Sequence, residues 1–259
     1  MANTALITGA SSGIGLELAR IHAGKGGNLI LVARSKDKLE TLATELSDHH
    51  GIEVSVIAED LSRAESAQTI FEQTEALGLQ VDTLINNAGF GGHGRFHERE
   101  LAAEQAMMQV NMVSLTNLTH LYLQGMVARR QGKILNVSST ASFAPGPLQA
   151  VYYASKAYVT SFTQAIADEV AEFNITATAL CPGAVATGFV AAGNLQGVAI
   201  WKNAKSPRSV AEFGYKAMEA GELVAINERS LRLMFNWITP LLPRKTLLKM
   251  SRNAMEKSS

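Results

Sequence analysis

The amino-acid sequence predicts an α/β fold: a single-domain, doubly wound parallel sheet of six to seven strands with helices on both faces. Three observations carry this expectation. Short apolar runs rich in β-branched residues alternate with longer amphipathic stretches, the pattern of strand–helix–strand units with right-handed crossovers. A glycine-rich turn follows the first run directly and opens the first helical stretch. The chain has 259 residues, 47% of them apolar, which is enough for one large core, and no repeat or low-complexity linker divides it.

The elements follow in order. "TALIT" (4–8), "NLILVA" (28–33), "VSVIA" (54–58), "TLIN" (83–86), "KILNVS" (133–138) and "ITATALC" (175–181) read as buried strands, and "LVAI" (223–226) as a seventh. Between them, "SKDKLETLATELSDHH" (35–50) and "SRAESAQTIFEQTEAL" (62–77) read as helices capped by Ser35 and Ser62. In the second, Ile70, Phe71, Thr74 and Leu77 fall on one side at helical spacing. His49 and His50 end the first, where partial positive charge suits the helix dipole. Two regions break the alternation: 187–206, which mixes glycines with Phe189, Val198, Ile200 and Trp201, and a C-terminal helical extension, 227–259. Its stretch 230–250 reads as a helix packed on the core or on a second subunit. Peripheral membrane contact through Leu233, Phe235, Trp237 and Leu241 is the alternative.

Composition excludes several classes of function. Lysine plus arginine number 23, as do aspartate plus glutamate, so the net charge is zero and no basic stripe speaks for a nucleic-acid partner. One cysteine, Cys181, forbids an internal disulfide and fits a reducing, cytoplasmic setting; before Pro182 it reads as a small buried hydrophobe. The N-terminus lacks a secretory pattern, and no run of about 18 apolar residues would span a bilayer. His93 and His97 are four apart, but Gly91, Gly92 and Gly94 argue against a helix there and no cysteine is near, so no metal site is expected.

"TGASSGIG" (8–15) places Gly9, Gly13 and Gly15 in a G-x-x-x-G-x-G order. Glycines let a backbone turn tightly against a pyrophosphate, and a helix N-terminus offers free N–H groups and partial positive charge. At the end of the second strand stand Ala33 and Arg34, where a carboxylate would otherwise grip the adenosine ribose. A guanidinium without a neighbouring carboxylate favours the 2′-phosphate of NADP, with Ser11, Ser12 and Lys38 as helpers. Asp60 follows the third strand and is placed to meet the adenine edge. "NNAG" (86–89) should wall the adenine-ribose side.

In "AVYYASKAYVTSF" (150–162), Tyr152 and Lys156 share a helix face, one turn apart. An ammonium about 4 Å from a phenol at an effective dielectric of ~20 is worth roughly 4 kcal/mol. That would bring the phenol from its ordinary range near pH ~10 to about 7, where general acid–base catalysis is most effective. "NVSSTAS" (136–142) ends the fifth strand with Ser138 and Ser139 adjacent, and one of them would orient a substrate oxygen; composition does not choose between them.

Taken together, "TGASSGIG", Asp60, "NNAG", Asn111, Ser139, "YYASK" and "PGAVAT" (182–187) resemble the short-chain dehydrogenase/reductase family over roughly the first 225 residues, which implies a Rossmann-like fold. The resemblance implies a catalytic set of Asn111, Ser139, Tyr152 and Lys156, Ser139 being thirteen residues before the tyrosine. Asn111 resembles the helix asparagine whose main chain holds a water in a proton relay. Thr187 resembles the residue that binds the nicotinamide carboxamide, and Lys156 the lysine that also holds the ribose hydroxyls. The implied cofactor cleft comprises Gly9, Ser11, Ser12, Gly13, Ile14, Gly15, Arg34, Asp60, Leu61, Asn87, Ala88, Gly89, Tyr152, Lys156, Pro182, Gly183, Val185 and Thr187. The implied function is NADP(H)-dependent hydride transfer between the nicotinamide and an apolar ketone, aldehyde or acyl thioester, with 187–206 as a substrate flap. Phe90, Phe96, Phe143, Leu148, Phe189 and Trp201 are candidate pocket walls. An NAD-dependent alcohol dehydrogenase and a non-catalytic NADP sensor are the alternatives. The family's habit implies a homodimer or homotetramer through the helices near 100–130 and 150–173.

Overall fold

In the computed structural model, which describes residues 3–257, the chain runs β1 (Thr4–Thr8), α1 (Gly13–Ala23), β2 (Asn28–Ala33), α2 (Lys36–His50), β3 (Val54–Ala58), α3 (Ser66–Ala76) and β4 (Thr83–Asn86). It continues through α4 (Leu101–Met108), α5 (Leu115–Arg129), β5 (Gly132–Val137), α6 (Ala150–Val170), β6 (Ile175–Leu180), α7 (Phe189–Ala192), α8 (Pro207–Glu219), β7 (Val224–Ala225), α9 (Arg229–Leu233) and α10 (Arg244–Met255). A wide π turn, Gln109–Ser114, joins α4 to α5. The expected C-terminal extension is thus described to residue 257; residues 1, 2, 258 and 259 lie outside the described part.

All seven strands pair in parallel in one sheet, in the order β3-β2-β1-β4-β5-β6-β7. The chain leaves β1 toward one edge and returns to β4 on β1's other side, so the connections leaving β1 and β4 diverge and open a crevice at their carboxyl ends. β1 shows how one strand serves two layers. Its five residues are all buried. Ala5 and Ile7 pack with Leu18 of α1, Leu39, Leu42 and Leu46 of α2, and Val210 of α8. Leu6 points the other way, to Ile70 of α3, Leu118 and Tyr122 of α5, and Ile166 of α6. Alternation along the strand therefore requires helices on both faces.

Boundaries depart from the sequence pattern where local bonds override it. Ser62 does not cap the third helix, which begins at Ser66; the Ser62 amide is instead drawn back to the Asp60 carboxylate (Oδ1, 3.0 Å). Leu77 is exposed because the helix has ended and the chain turns through Gly78 at φ +66°. β7 is only two residues long, since Asn227 turns back to accept from the Gly183 amide (3.3 Å).

One buried polar pair stitches the layers. His22 of α1 is 1% exposed; its Nε2 faces the Asn3 carbonyl at 2.9 Å and its Nδ1 the Tyr215 hydroxyl at 2.9 Å. A carbonyl can only accept, so Nε2 carries the proton and Nδ1 accepts from the tyrosine. Burial holds this neutral imidazole below its ordinary 6.5. The unfolded chain therefore binds a proton that the folded chain refuses, and the stability this brings is complete above pH 6.5 and lost as pH falls through it. His22→Gln is expected to lower the thermal midpoint at neutral pH by the equivalent of about 1–3 kcal/mol. The variant should then lose less than the parent between neutral and acidic pH in a melting series.

Candidate active site

The crevice predicted by strand order is a cleft of about 620 Å³ at the carboxyl ends of the strands. Its floor is tied together by Thr8. The Thr8 hydroxyl accepts from the amides of Asn87 and Ala88, both at 3.0 Å, and so joins the end of β1 to the end of β4. The Asn87 side chain answers by donating to the carbonyls of Thr8 (2.9 Å) and Gly9 (3.3 Å). This clasp explains two glycines. A Cβ on Gly15 would lie 2.4 Å from both the Asn87 amide nitrogen and the Gly9 carbonyl oxygen. Gly9 adopts φ +67° with that same amide 2.8 Å from where its Cβ would be. Their smallness serves internal packing of the turn before it serves any ligand. Ser12, at the N-cap of α1, makes no side-chain capping bond, so the first amides of α1 meet the cleft uncapped by a side chain.

The opposite wall is α6. Tyr152, Ser155, Lys156, Val159, Thr160 and Thr163 form its buried face. Tyr152 and Lys156 both line the cleft, with the Lys156 ammonium 5.8 Å from the tyrosine ring centre. Lys156 Nζ donates to the Val137 carbonyl at 2.8 Å. β5 ends at Val137, and the two serines beyond it part ways. Ser138 is buried, its hydroxyl bonded to the Lys156 carbonyl (2.9 Å) and the Thr160 hydroxyl (2.7 Å). Ser139 lines the cleft, and its Oγ accepts from the Ala141 amide at 3.1 Å. Asn111 stands behind the cleft on the π turn, bonding both the amide and the carbonyl of Phe90 (3.1 and 3.0 Å) and the Ser155 hydroxyl (3.0 Å).

Electrostatics here differ from the sequence expectation. Burial pushes the Tyr152 phenol above its ordinary range, opposed in part by the Ser139 hydroxyl. The same burial lowers the Lys156 ammonium to about 8. Desolvation, which penalises both charged forms, dominates both shifts, and the acidification of Tyr152 expected from its spacing to Lys156 does not occur. Cys181 is fully buried and its thiol is raised by burial.

Every expected cofactor residue except Gly15 lines the cleft: Gly9, Ser11, Ser12, Gly13, Ile14, Arg34, Asp60, Leu61, Asn87, Ala88, Gly89, Tyr152, Lys156, Pro182, Gly183, Val185 and Thr187. Asp60 is held below the usual carboxylate range, chiefly by the Ser62 amide. Of the expected pocket walls, Phe90, Phe189 and Trp201 line the cleft. Phe96 is 59% exposed. Phe143 stacks on Phe235 (centroids 5.3 Å apart), and Leu148 packs behind Tyr153 and Phe189. Sequence reasoning missed Gln149, Ile200 and Met255 as lining residues, and Thr8 as the clasp. At the second strand's end Arg34 shares a recess with Arg63, as suits a 2′-phosphate, but the carboxylates of Glu59 and Asp60 lie in it too. The carboxylate judged absent from the sequence is supplied by the third strand's end, a neighbour in space and not in sequence.

Such a sheet, with an uncapped helix start at its switch point and a buried phenol–ammonium pair opposite, defines a nucleotide-dependent α/β oxidoreductase scaffold. The family model described as short chain dehydrogenase matches residues 3–196. Nodulation protein G of Rhizobium meliloti is 36% identical over 179 residues, 69% of this chain and 71% of that protein. The 17-beta-hydroxysteroid dehydrogenase type 3 of Mus musculus is 35% identical over 192 residues, covering 72% and 61% respectively. A solved structure of a short-chain dehydrogenase from Sphingobium yanoikuyae in complex with NADPH superposes with a TM-score of 0.85 at 27% identity, over 99% of each chain. The chain belongs to the short-chain dehydrogenase/reductase family and is an oxidoreductase acting on CH–OH/C=O groups.

Thr8→Val keeps the shape of the clasp residue and removes its oxygen, leaving two amides without an acceptor. Chemical denaturation is expected to show a loss of about 2 kcal/mol. Dinucleotide affinity should fall with it, because the glycine turn is then untied from β4.

Proposed function

We propose that the cleft holds NADP(H) and that the chain reduces an apolar ketone, aldehyde or acyl thioester to the alcohol. The observation that carries this reading is the convergence of Tyr152, Ser139 and Lys156 on a cleft whose other side is the open start of α1. The residues fit a dinucleotide. The amides of Ser12 to Ile14 suit a pyrophosphate, Asp60 and Leu61 the adenine, Lys156 the nicotinamide ribose, and Pro182, Gly183, Val185 and Thr187 the carboxamide side. When bound, the nicotinamide supplies the hydride.

The chain's own groups do the rest. Ser139 has its Oγ held by the Ala141 amide, so its O–H is free to donate to a carbonyl oxygen and to stabilise the developing alkoxide. Tyr152 is the proton donor. Burial keeps the phenol protonated at neutral pH, the form a donor needs. Lys156 holds a ribose and replenishes the phenol's proton, and Asn111, through Phe90 and Ser155, fixes the wall behind it. Phe90, Phe189, Ile200, Trp201 and Met255 offer an apolar enclosure, with 187–206 as the flap. The hydroxysteroid-dehydrogenase relative is in keeping with a bulky apolar substrate. Val113 stays exposed on the π turn before α5 and Tyr158 on α6, which fits assembly through these helices, and one buried thiol fits a cytoplasmic setting.

Arg34 and Arg63 support NADP, as does the NADPH complex of the Sphingobium relative. Glu59 in the same recess favours the second reading, an NAD-dependent alcohol dehydrogenase. Tyr152→Phe is expected to lower kcat for carbonyl reduction by roughly 10²–10⁴-fold. NADPH titration of that variant should give an unchanged Kd; intact turnover would refute the mechanism. Arg34→Asp is expected to reverse the ratio of NADP to NAD dissociation constants. A parent chain that binds NAD more tightly than NADP would assign the recess to NAD.

A further inference from the structure

The stretch 229–255 carries an unusual share of the chain's charge and exposed apolar surface. Six of the 23 basic residues and none of the 23 acidic ones lie in it, so it bears +6 against −6 for the remainder. Leu233 (58% exposed), Trp237 (71%), Ile238 (49%) and Leu241 (84%) project from it, with Leu248 and Met250 further along. Such residues are normally scattered singly over a surface; here they are gathered in one segment. The bases Arg229, Arg232, Arg244, Lys245, Lys249 and Arg252 stand among them, all exposed.

Both ends of this segment are anchored on the cleft. Leu231 lies where a Cβ on Gly183 would meet it at 2.8 Å, and Phe235 stacks on Phe143. At the far end Met255 is 2% exposed, lines the cleft, and gives its carbonyl to His93 Nε2 at 2.8 Å. Lys257 pairs with Val198 of the flap. Between these anchors the apolar side chains point away from the body.

We propose that 229–252 is a docking surface for an anionic phospholipid bilayer, lying in the interface with Trp237 and Leu241 inserted and the basic residues on the headgroups. Charge decides the occupant. A two-fold dimer through this face would set the same +6 patch against itself, whereas an anionic surface neutralises it. No helix among the described residues is long and apolar enough to cross a membrane, so the attachment is peripheral. Because both anchors lie on the cleft's rim, docking sets that rim beside the lipid.

The test is co-sedimentation of the full chain with vesicles of phosphatidylglycerol or of phosphatidylcholine, at low and high salt, with tryptophan emission recorded on the bound protein. Binding to the anionic vesicles is expected to be at least about tenfold stronger, salt-sensitive, and accompanied by a blue shift. Trp237→Ser with Leu241→Ser, and separately Arg244→Gln with Lys245→Gln and Lys249→Gln, should each weaken it by about tenfold or more, with unfolding midpoints unchanged. Equal or absent binding to both vesicles, or binding indifferent to both variants, overturns the proposal. A fall in sedimentation coefficient of the lipid-free Trp237→Ser/Leu241→Ser chain overturns it too, by assigning the face to a second copy.

Discussion

The site depends on a reciprocal bond between β5 and α6. Lys156 sends its ammonium to the Val137 carbonyl, and its own carbonyl receives the Ser138 hydroxyl. Side chain to backbone and side chain back to backbone, the pair fixes α6 in both height and rotation against the strand end. Rotation is what matters chemically. A helix free to roll by one residue, about 100°, would carry Tyr152 out of the cleft. With the roll fixed, the residue four before Lys156 faces the cleft and Ser139, the first residue past the clamp, faces it from the other side. Two adjacent serines thus differ: the Ser138 hydroxyl holds the helix, and the Ser139 hydroxyl, accepting from the Ala141 amide, keeps its own proton free.

A second clasp does the same for the nucleotide half. Thr8 and Asn87 tie the ends of β1 and β4 with bonds running both ways. The glycine turn must pass beneath the Asn87 amide, which leaves no room for a Cβ at Gly15 and little at Gly9. The spacing of the glycines is therefore a record of how the turn packs on its neighbour strand. Binding follows from the same geometry, since a turn pressed flat against β4 presents its amides, and the uncapped start of α1, outward to the cleft.

Much of this was legible in the sequence because it is local. All seven strands fall within a residue of their apolar runs at both ends, and Tyr152 and Lys156 meet because helical spacing guarantees it. What escaped is non-local or energetic. Glu59 enters the Arg34 recess from the next strand over, and Met255 reaches the cleft from 99 residues beyond Lys156. No periodicity reports such neighbours. Ser138 and Ser139 could not be told apart from the pattern alone, because the choice rests on where β5 stops. Ser62 failed as a cap because the helix begins only at Ser66, past the turn in which the Ser62 amide donates to Asp60. The sign of the tyrosine's shift was also misjudged, since a pairwise Coulomb estimate omits the desolvation that enclosure brings to both partners.

That omission changes how the pair should be understood. In an enclosed site both Tyr152 and Lys156 are driven toward their neutral forms, the phenol by holding its proton and the ammonium by surrendering one nearer neutrality. The two shifts move the proton affinities apart, the phenol's up and the amine's down, and they leave the phenol as the holder of the proton. Held in this way, the phenol is protonated at neutral pH. The packing of Phe90 and Phe189 around Tyr152 therefore has an electrostatic consequence as well as a steric one: by withdrawing the phenol from water it holds the group in its protonated form.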